Sequence, residues 1–226
     1  MPTSTVEDYL KAILLAEDAG GGELVSTGEI AARLEVAPGT VTAMIKTLAE
    51  SGLLAHEPYS GVRLTEAGRQ LAVHVLRRHR LIELFLVKIM RMDWSEVHGE
   101  AERLEHVVSE VLIDRIDEML GHPSVDPHGD PIPDASGAVE EADVTSLLYC
   151  PVDSPLRVAR VLEQTPEFLQ FLERRGLRPG SELMVTERNE PGDTVELELD
   201  GGERLDLGYR AASKILVSAA SPSLVD

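Results

Sequence analysis

The chain has 226 residues, 43% of them hydrophobic and 27% charged, enough for one large core or two to three small ones. Aromatics are only 4%, so the core is aliphatic, and no apolar run approaches the ~20 residues of a membrane span. Forty acids against 21 Lys and Arg give a formal net charge of −19, which counts against a basic surface, and the single cysteine, Cys150, excludes an intramolecular disulfide and a thiolate zinc cluster.

The start, Met1-Pro2-Thr3-Ser4-Thr5, has neither the basic region nor the apolar core of a signal peptide, so a cytoplasmic protein is expected. Ser4 with Glu7 three places on forms a capping box, and Val6, Leu10, Ile13 and Leu14 make a helical stripe that Gly20-Gly21-Gly22 ends. Thr27 is expected to cap a second helix over Gly28 to Glu35, with Ile30, Ala31 and Leu34 on its apolar face. Val36 to Gly39 reads as a turn, and Thr40 to Ser51 as a third helix ended by Gly52. Leu53 to His56 and Val62 to Leu64 read as short strands joined by a turn at Tyr59-Ser60-Gly61. This order is the plan of a winged helix-turn-helix over residues 1–75.

Residues 76–140 are read as a helical dimerisation domain. Thr65 is expected to cap a helix reaching about Met90, and Ser95 another, with a break inside, reaching Leu120. Leu76, Leu81, Leu84, Phe85 and Ile89 form an apolar stripe that calls for a partner surface, hence a homodimer. Residues 121–155 hold six of the 13 prolines and read as a linker. Within 141–226, four strands (around 158–162, 182–185, 195–199 and 214–217), a helix from Pro166 to Arg175 and a turn at Asp200-Gly201-Gly202 suggest an SH3-like β-barrel. The fold class is mainly α with a small β domain.

Chemistry concentrates between Arg77 and Glu110. His79 and Glu83 are four apart, on one helix face; His98 is on the next segment. Glu102, Glu105 and His106 are at i, i+3 and i+4, again one face, and Asp8 is on a helix able to fold against them. Carboxylates with a few imidazoles and no thiolate suit Mn²⁺ or Fe²⁺ better than structural zinc. An exposed His–Glu pair is more often solvated and of small worth, so spacing alone leaves a metal site open. In the third helix Pro38, Thr40, Thr42, Ala43 and Lys46 lie off the apolar stripe or at its start, small or polar as close approach to a major groove requires. Lys46 and Arg63 can reach phosphates. The charge runs against this: residues 1–75 carry 5 basic and 10 acidic side chains, net −5, and 76–140 and 141–226 are each net −7.

The order of winged helix, long helices carrying His79-Arg80-Leu81 and Glu105-His106-Val107, then β-barrel, resembles the DtxR/MntR family of metal-dependent transcriptional repressors. Val6-Glu7-Asp8-Tyr9-Leu10, Asp126-Pro127-His128-Gly129-Asp130-Pro131-Ile132-Pro133 and Gly176-Leu177-Arg178-Pro179-Gly180-Ser181-Glu182 carry the match along nearly the whole chain. The resemblance implies two metal ions per subunit. The primary site would be Asp8, Glu102, Glu105 and His106. The ancillary site would be His79, Glu83 and His98, with oxygen ligands from the SH3-like domain, for which Glu163, Gln164 and Glu167 are candidates. It also implies operator DNA as partner, met by Thr5, Thr27, Ala37, Pro38, Thr40, Thr42, Ala43, Lys46, Ser60 and Arg63.

Iron-sensing members carry Met and Cys where Asp8 and Glu102 stand, and manganese-sensing members carry carboxylates. Two oxygen donors favour a hard ion such as Mn²⁺. The short manganese sensors have Glu where Lys11 stands and lack the SH3-like domain, so a different two-metal geometry is expected. The reading is a manganese-activated dimeric repressor of metal-uptake genes, with an iron(II)-dependent repressor of the same fold as the alternative. A carboxylate-bridged metal enzyme or storage protein is disfavoured, because such bundles present Glu-x-x-His from two helices. Here Arg103 stands where that Glu would.

Overall fold

The computed structural model describes residues 3–57, 60–140 and 142–220; Tyr59, expected in the hairpin turn, lies outside the described residues. The chain divides into two compact units, Met1–Ile82 with Glu102–Ile116 and Pro133–Val139, and Glu83–Ala101 with Asp117–Ile132 and Glu140–Asp226.

The first unit opens with α1 (Ser4–Ala19). Thr3, not Ser4, is its N-cap and accepts from the Val6 amide. Likewise Ser26 rather than Thr27 caps α2 (Thr27–Arg33), accepting from the Glu29 amide at 3.1 Å. In both cases the helix starts one residue earlier than expected, which moves the expected cap into the first turn. Helix α3 (Pro38–Glu50) starts two residues before Thr40. Proline at the first helical position has its φ preset and gives up no intrahelical bond, so the presumed turn residue opens the helix. Strands β1 (Leu54–Glu57) and β2 (Gly61–Leu64) pair antiparallel with Leu54 opposite Leu64, and Val25 bridges Val62. Leu10 and Ile13 of α1, Ile30 of α2, and Val41, Ile45 and Leu48 of α3 share one dry core.

Helix α4 (Glu66–Lys88) begins as expected, with the Thr65 hydroxyl accepting from Gly68 at 3.1 Å. Gly68 is demanded by space, since a Cβ there would stand 2.0 Å from the Leu53 carbonyl oxygen. The next stretch forms two helices, α5 (Val97–Leu104) and α6 (Glu110–Leu120). Ser95 does not cap α5: its hydroxyl donates to Asp93 at 2.6 Å. Leu76, Leu81 and Leu84 of the stripe are buried within the subunit, whereas Ile89 is exposed, as are Met90, Val107, Val111, Leu112 and Met119 of this region.

The second unit holds β3 (Thr145–Ser146), β4 (Pro155–Val161), α7 (Pro166–Glu173), β5 (Glu182–Asn189), β6 (Thr194–Leu199), β7 (Arg204–Gly208), α8 (Tyr209–Ala212) and β8 (Ile215–Ala219). The strands form an antiparallel sheet in the order β3-β8-β4-β5-β6-β7. Strand β7 escaped the sequence reading because Arg204 and Asp206 mask a short alternation whose inward residue is Leu207. Val158, Val185, Val195, Leu197 and Val217 pack against Leu169 and Leu172 of α7 and against Trp94. Cys150 belongs to this core rather than to a linker, and burial pushes its thiol up.

The Pro-rich stretch is not a free spacer. Between Val125 and Pro131, which bridge one another, Asp126, His128, Gly129 and Asp130 are buried. The Asp126 carboxylate accepts from the amides of His128 (2.8 Å) and Asp130 (2.9 Å), closing a compact loop. Prolines at its flanks stiffen this loop instead of extending a tether.

Removing buried methyls from the first core leaves a cavity. Leu48→Ala is expected to cost about 2–5 kcal/mol, read as a lower denaturation midpoint of the whole chain.

Candidate metal centres and DNA-facing surface

The first centre lies where α1 meets the turn after α5. One ligand atom each from Asp8, Glu105 and His106 lies within 4.8 Å of the others. His106 Nε2 stands 2.8 Å from Asp8 Oδ1 and 3.4 Å from Glu105 Oε1. Its Nδ1 lies 2.7 Å from Glu7 Oε2, a carboxylate that orients the ring from the other side. Glu105 is fully buried. Lys11 Nζ donates to its Oε1 at 2.5 Å, and His79 Nδ1 lies 2.5 Å from its Oε2.

The electrostatics follow from this packing. Burial by itself pushes the Glu105 carboxyl up, but His79 and Lys11 outweigh it and hold the group below its ordinary value. At Asp8 burial wins over the attraction of His106 and Lys11 and pushes its carboxyl above its ordinary value.

Two expectations are corrected here. Glu105 and His106 lie beyond the end of α5 at Leu104, so they do not share a helix face with Glu102. The turn brings them to α1 instead. Glu102 is not in the cluster; its side chain is 54% exposed and 4.0 Å from Lys11 Nζ. His79 keeps its expected place: although its Nδ1 lies on Glu105, one ligand atom each of His79, Glu83 and His98 lies within 4.8 Å of the others.

A second cluster centres on Glu83 of α4, one turn beyond His79. Glu83 Oε1 lies 3.1 Å from Nδ1 of the half-exposed His98, as the ancillary set anticipates. Two further groups join Glu83 that the sequence reading missed. Glu83, Asp126 and His128 are all buried, and one ligand atom of each lies within 4.8 Å of the others. His128 Nε2 donates to the Trp94 carbonyl at 2.9 Å, which leaves Nδ1 to hold either a second proton or a cation. Nδ1 faces Glu83 Oε2 at 3.7 Å and Asp126 Oδ1 at 4.0 Å and has no hydrogen-bond partner. A buried nitrogen lone pair aimed at two carboxylates is a donor set that fits a hard-to-borderline cation. Burial alone would pull His128 down; the facing Glu83 and Asp126 carboxylates outweigh it and push the imidazole up to about 9. The signal was present in Asp126-Pro127-His128, two potential ligands two residues apart, but proline content marked the segment as a linker.

The expected SH3-domain ligands are placed otherwise. Gln164 Nε2 donates to Asp130 at 2.6 Å, Glu163 accepts from the Thr165 hydroxyl at 3.2 Å, and Glu167 is exposed in the first turn of α7. Among the described residues Glu163 and Glu167 join none of the His/Asp/Glu clusters.

The expected DNA-contacting residues fall on exposed parts of the first unit. Ala37, Pro38, Thr40, Thr42, Ala43 and Lys46 lie along the side of α3 opposite Val41, Ile45 and Leu48. Thr5, Ser60 and Arg63 are exposed and Thr27 is half-buried. Thr42 donates its hydroxyl to the Pro38 carbonyl at 3.0 Å, and Lys46 pairs loosely with Glu50 at 3.9 Å.

Three family descriptions match this chain. Residues 1–62 match the iron-dependent repressor N-terminal DNA-binding domain, 65–134 the iron-dependent repressor metal-binding and dimerisation domain, and 145–219 the FeoA domain. The iron-dependent repressor IdeR of Mycobacterium tuberculosis is 34% identical over 94% of this chain and 96% of its own. The chain belongs to the iron-dependent (DtxR-type) repressor family. The diphtheria toxin repressor of Corynebacterium diphtheriae is 33% identical over 82% of the repressor chain described here and 85% of its own. Among solved structures, a manganese-dependent transcriptional repressor in complex with manganese is 39% identical with a TM-score of 0.83, covering 95% of this chain and 100% of that one. ScaR with bound Zn²⁺ is 33% identical with a TM-score of 0.75, covering 97% and 100%.

This repressor is therefore a metal-dependent transcriptional regulator by family, with the SH3-like fold expected at its C-terminus. Its metal-binding and dimerisation match, 65–134, takes in Glu83, Glu105, His106, Asp126 and His128, whereas Asp8 falls in the DNA-binding match. No helix among its described residues is long and apolar enough to cross a membrane.

Because the folded His128 is raised from 6.5 to about 9, its contribution to the metal-free repressor is fully present below pH 6.5 and lost as pH rises through about 9. Chemical denaturation of metal-free protein at pH 6, 7.5 and 9 is expected to show stability falling across that window, and the fall to be flattened in His128→Phe.

Proposed function

We propose that the repressor is manganese-activated and, as a homodimer, binds operator DNA ahead of metal-uptake genes. The observation that carries this reading is the oxygen-rich donor set of the first centre. Asp8 and Glu105 supply carboxylates and His106 one imidazole, and Cys150, the one cysteine of the chain, is buried in a hydrophobic core. The likeness to a manganese-dependent repressor holding manganese supports the same ion. The iron(II) alternative draws on the iron-dependent relatives. Against it stands the absence of a soft donor in the first centre.

The reading takes two ions per subunit, one at the Asp8 cluster and one at the clusters that share Glu83. The first would take Asp8, Glu105 and His106, with Glu102 swinging in from its exposed position. The second would take Glu83, with His128 and Asp126 on one side and His98 and His79 on the other; His79, one turn earlier on α4, also meets Glu105 through Nδ1. A divalent ion bound at the first centre supplies two positive charges and a fixed coordination geometry.

The residues connect this centre to DNA. Asp8 and Lys11 belong to α1, and Leu10 and Ile13 of the same helix pack into the core that holds Val41 and Ile45 of α3. A change in how α1 is tied to the Glu105–His106 turn is thus a change in where α3 is held. In a dimer that sets the separation of two recognition helices against successive major-groove half-sites. The acidity is compatible, because α3 presents small side chains and Lys46, and phosphate contacts can come from Lys46, Arg63 and backbone amides.

The test is binding of metal-free protein to a labelled fragment of its own or a manganese-transporter promoter at fixed salt, titrated separately with Mn²⁺, anaerobic Fe²⁺ and Zn²⁺. Binding is expected at lower free Mn²⁺ than Fe²⁺, and Asp8→Met with Glu102→Cys is expected to abolish the manganese preference. Equal or better response to Fe²⁺ would place the repressor in the iron branch. Lys46→Ala is expected to weaken binding to all sequences alike and to make the salt slope shallower by about 1.

A further inference from the structure

The loop from Asp126 to Pro131 has two working sides. One presents Asp126 and His128 to Glu83. The other is fastened to β4. The His128 carbonyl accepts from the Val161 amide at 2.9 Å. Gly129 has φ +85° and packs so closely that a Cβ would stand 1.9 Å from the Ala159 carbonyl oxygen. The Asp130 carboxylate is gripped from both sides: Arg160 of β4 pairs with Oδ1, and Gln164, three residues past the strand, donates to Oδ2 at 2.6 Å. His128 is held from a third direction by Trp94, whose carbonyl takes its Nε2 proton and whose ring stacks on the imidazole at 5.7 Å between centroids. Trp94 in turn donates its indole N–H to Glu173 of α7 at 2.7 Å.

We propose that Arg160 and Gln164 are positioning residues of the second metal centre: by clamping Asp130 they fix the loop so that His128 Nδ1 points at Glu83, and thereby set the metal affinity there. The C-terminal sheet then takes part in metal sensing by holding the ligand loop, a role different from lending Glu163, Gln164 or Glu167 as ligands. Supporting groups of this kind commonly change metal affinity by ~10–100-fold when removed. The proposal rests on reading Glu83, Asp126 and His128 as a metal centre.

The test is Mn²⁺ titration of the metal-free full-length repressor by calorimetry, with the fluorescence of Trp94, its one tryptophan, followed in parallel. Variants are His128→Ala, Arg160→Ala, Arg160→Lys and Gln164→Ala, each checked for fold by circular dichroism. His128→Ala is expected to remove one of two binding events. Arg160→Ala and Gln164→Ala are expected to weaken that same event by ~10-fold or more while leaving the Asp8-dependent event unchanged, with Arg160→Lys in between. Should Arg160→Ala not fold, Gln164→Ala decides, because it removes one hydrogen bond and no charge. Wild-type affinity at the His128-dependent event in folded Gln164→Ala and Arg160→Lys would overturn the positioning role and leave the centre standing. Equal weakening of both events would also overturn it, as general destabilisation. An unchanged titration of His128→Ala would overturn the centre itself and the proposal with it.

Discussion

Glu105 carries a carboxylate into a place with no water, and the first unit is arranged to answer that charge. Lys11 comes from α1 and His79 from α4, each 2.5 Å from one of its oxygens. An isolated buried carboxylate would cost several kcal/mol or take up a proton. The pairing keeps Glu105 ionised and at the same time pins α1 to the turn after α5. Asp8 and His106 stand on those same two segments, so the proposed metal site and a structural tie share one set of residues. Breaking the tie by removing Lys11 alone would leave the carboxylate uncompensated, which is the costly direction.

The second cluster applies the same logic to Glu83. It too is almost wholly buried, with His98 on one oxygen and His128 beyond hydrogen-bond reach of the other. Here the imidazole Nδ1 has no hydrogen-bond partner, which buried polar groups rarely tolerate, and in the metal-free protein a proton completes it up to about pH 9. A raised His128 and a fitting donor set are two statements of one fact: negative charge converges there. The proton and a cation compete for the same lone pair, so metal affinity and pH are coupled at this centre.

The acidity of the whole chain does not bear on DNA binding as its sum suggests. On the proposed reading only the side of α3 away from the core, the wing and the start of α1 approach a duplex, and the exposed side of α3 carries Thr40, Thr42, Ala43 and Lys46. Many carboxylates serve other ends: four of them, Asp8, Glu105, Glu83 and Asp126, converge with histidines in clusters that could hold a cation, and others pair with arginines along the sheet, as Glu196 and Glu198 do with Arg204.

The local pattern determined the elements. Helical stripes, the Thr65 cap, the glycine break after α1 and the alternation of Val195 to Leu199 are short-range signals, and each led to the right element within a few residues. Caps at Thr3 and Ser26 were misread because several hydroxyl residues stand side by side, and only the true helix start decides which one faces the free amides. Asp8, His79, Glu83, His98, Glu105 and His106 were legible as candidate donors, since residue type survives folding, and the structure does bring them into clusters. What tertiary structure decided was convergence. The chain end of α5 at Leu104 turned Glu105 and His106 inward and left Glu102 outside; a proline-rich stretch folded into a buried loop; and His128, unremarkable as a letter, became a ligand candidate only because Trp94 fixed one of its nitrogens and Glu83 faced the other. Burial and direction arise from contacts distant in the chain, which no local spacing encodes.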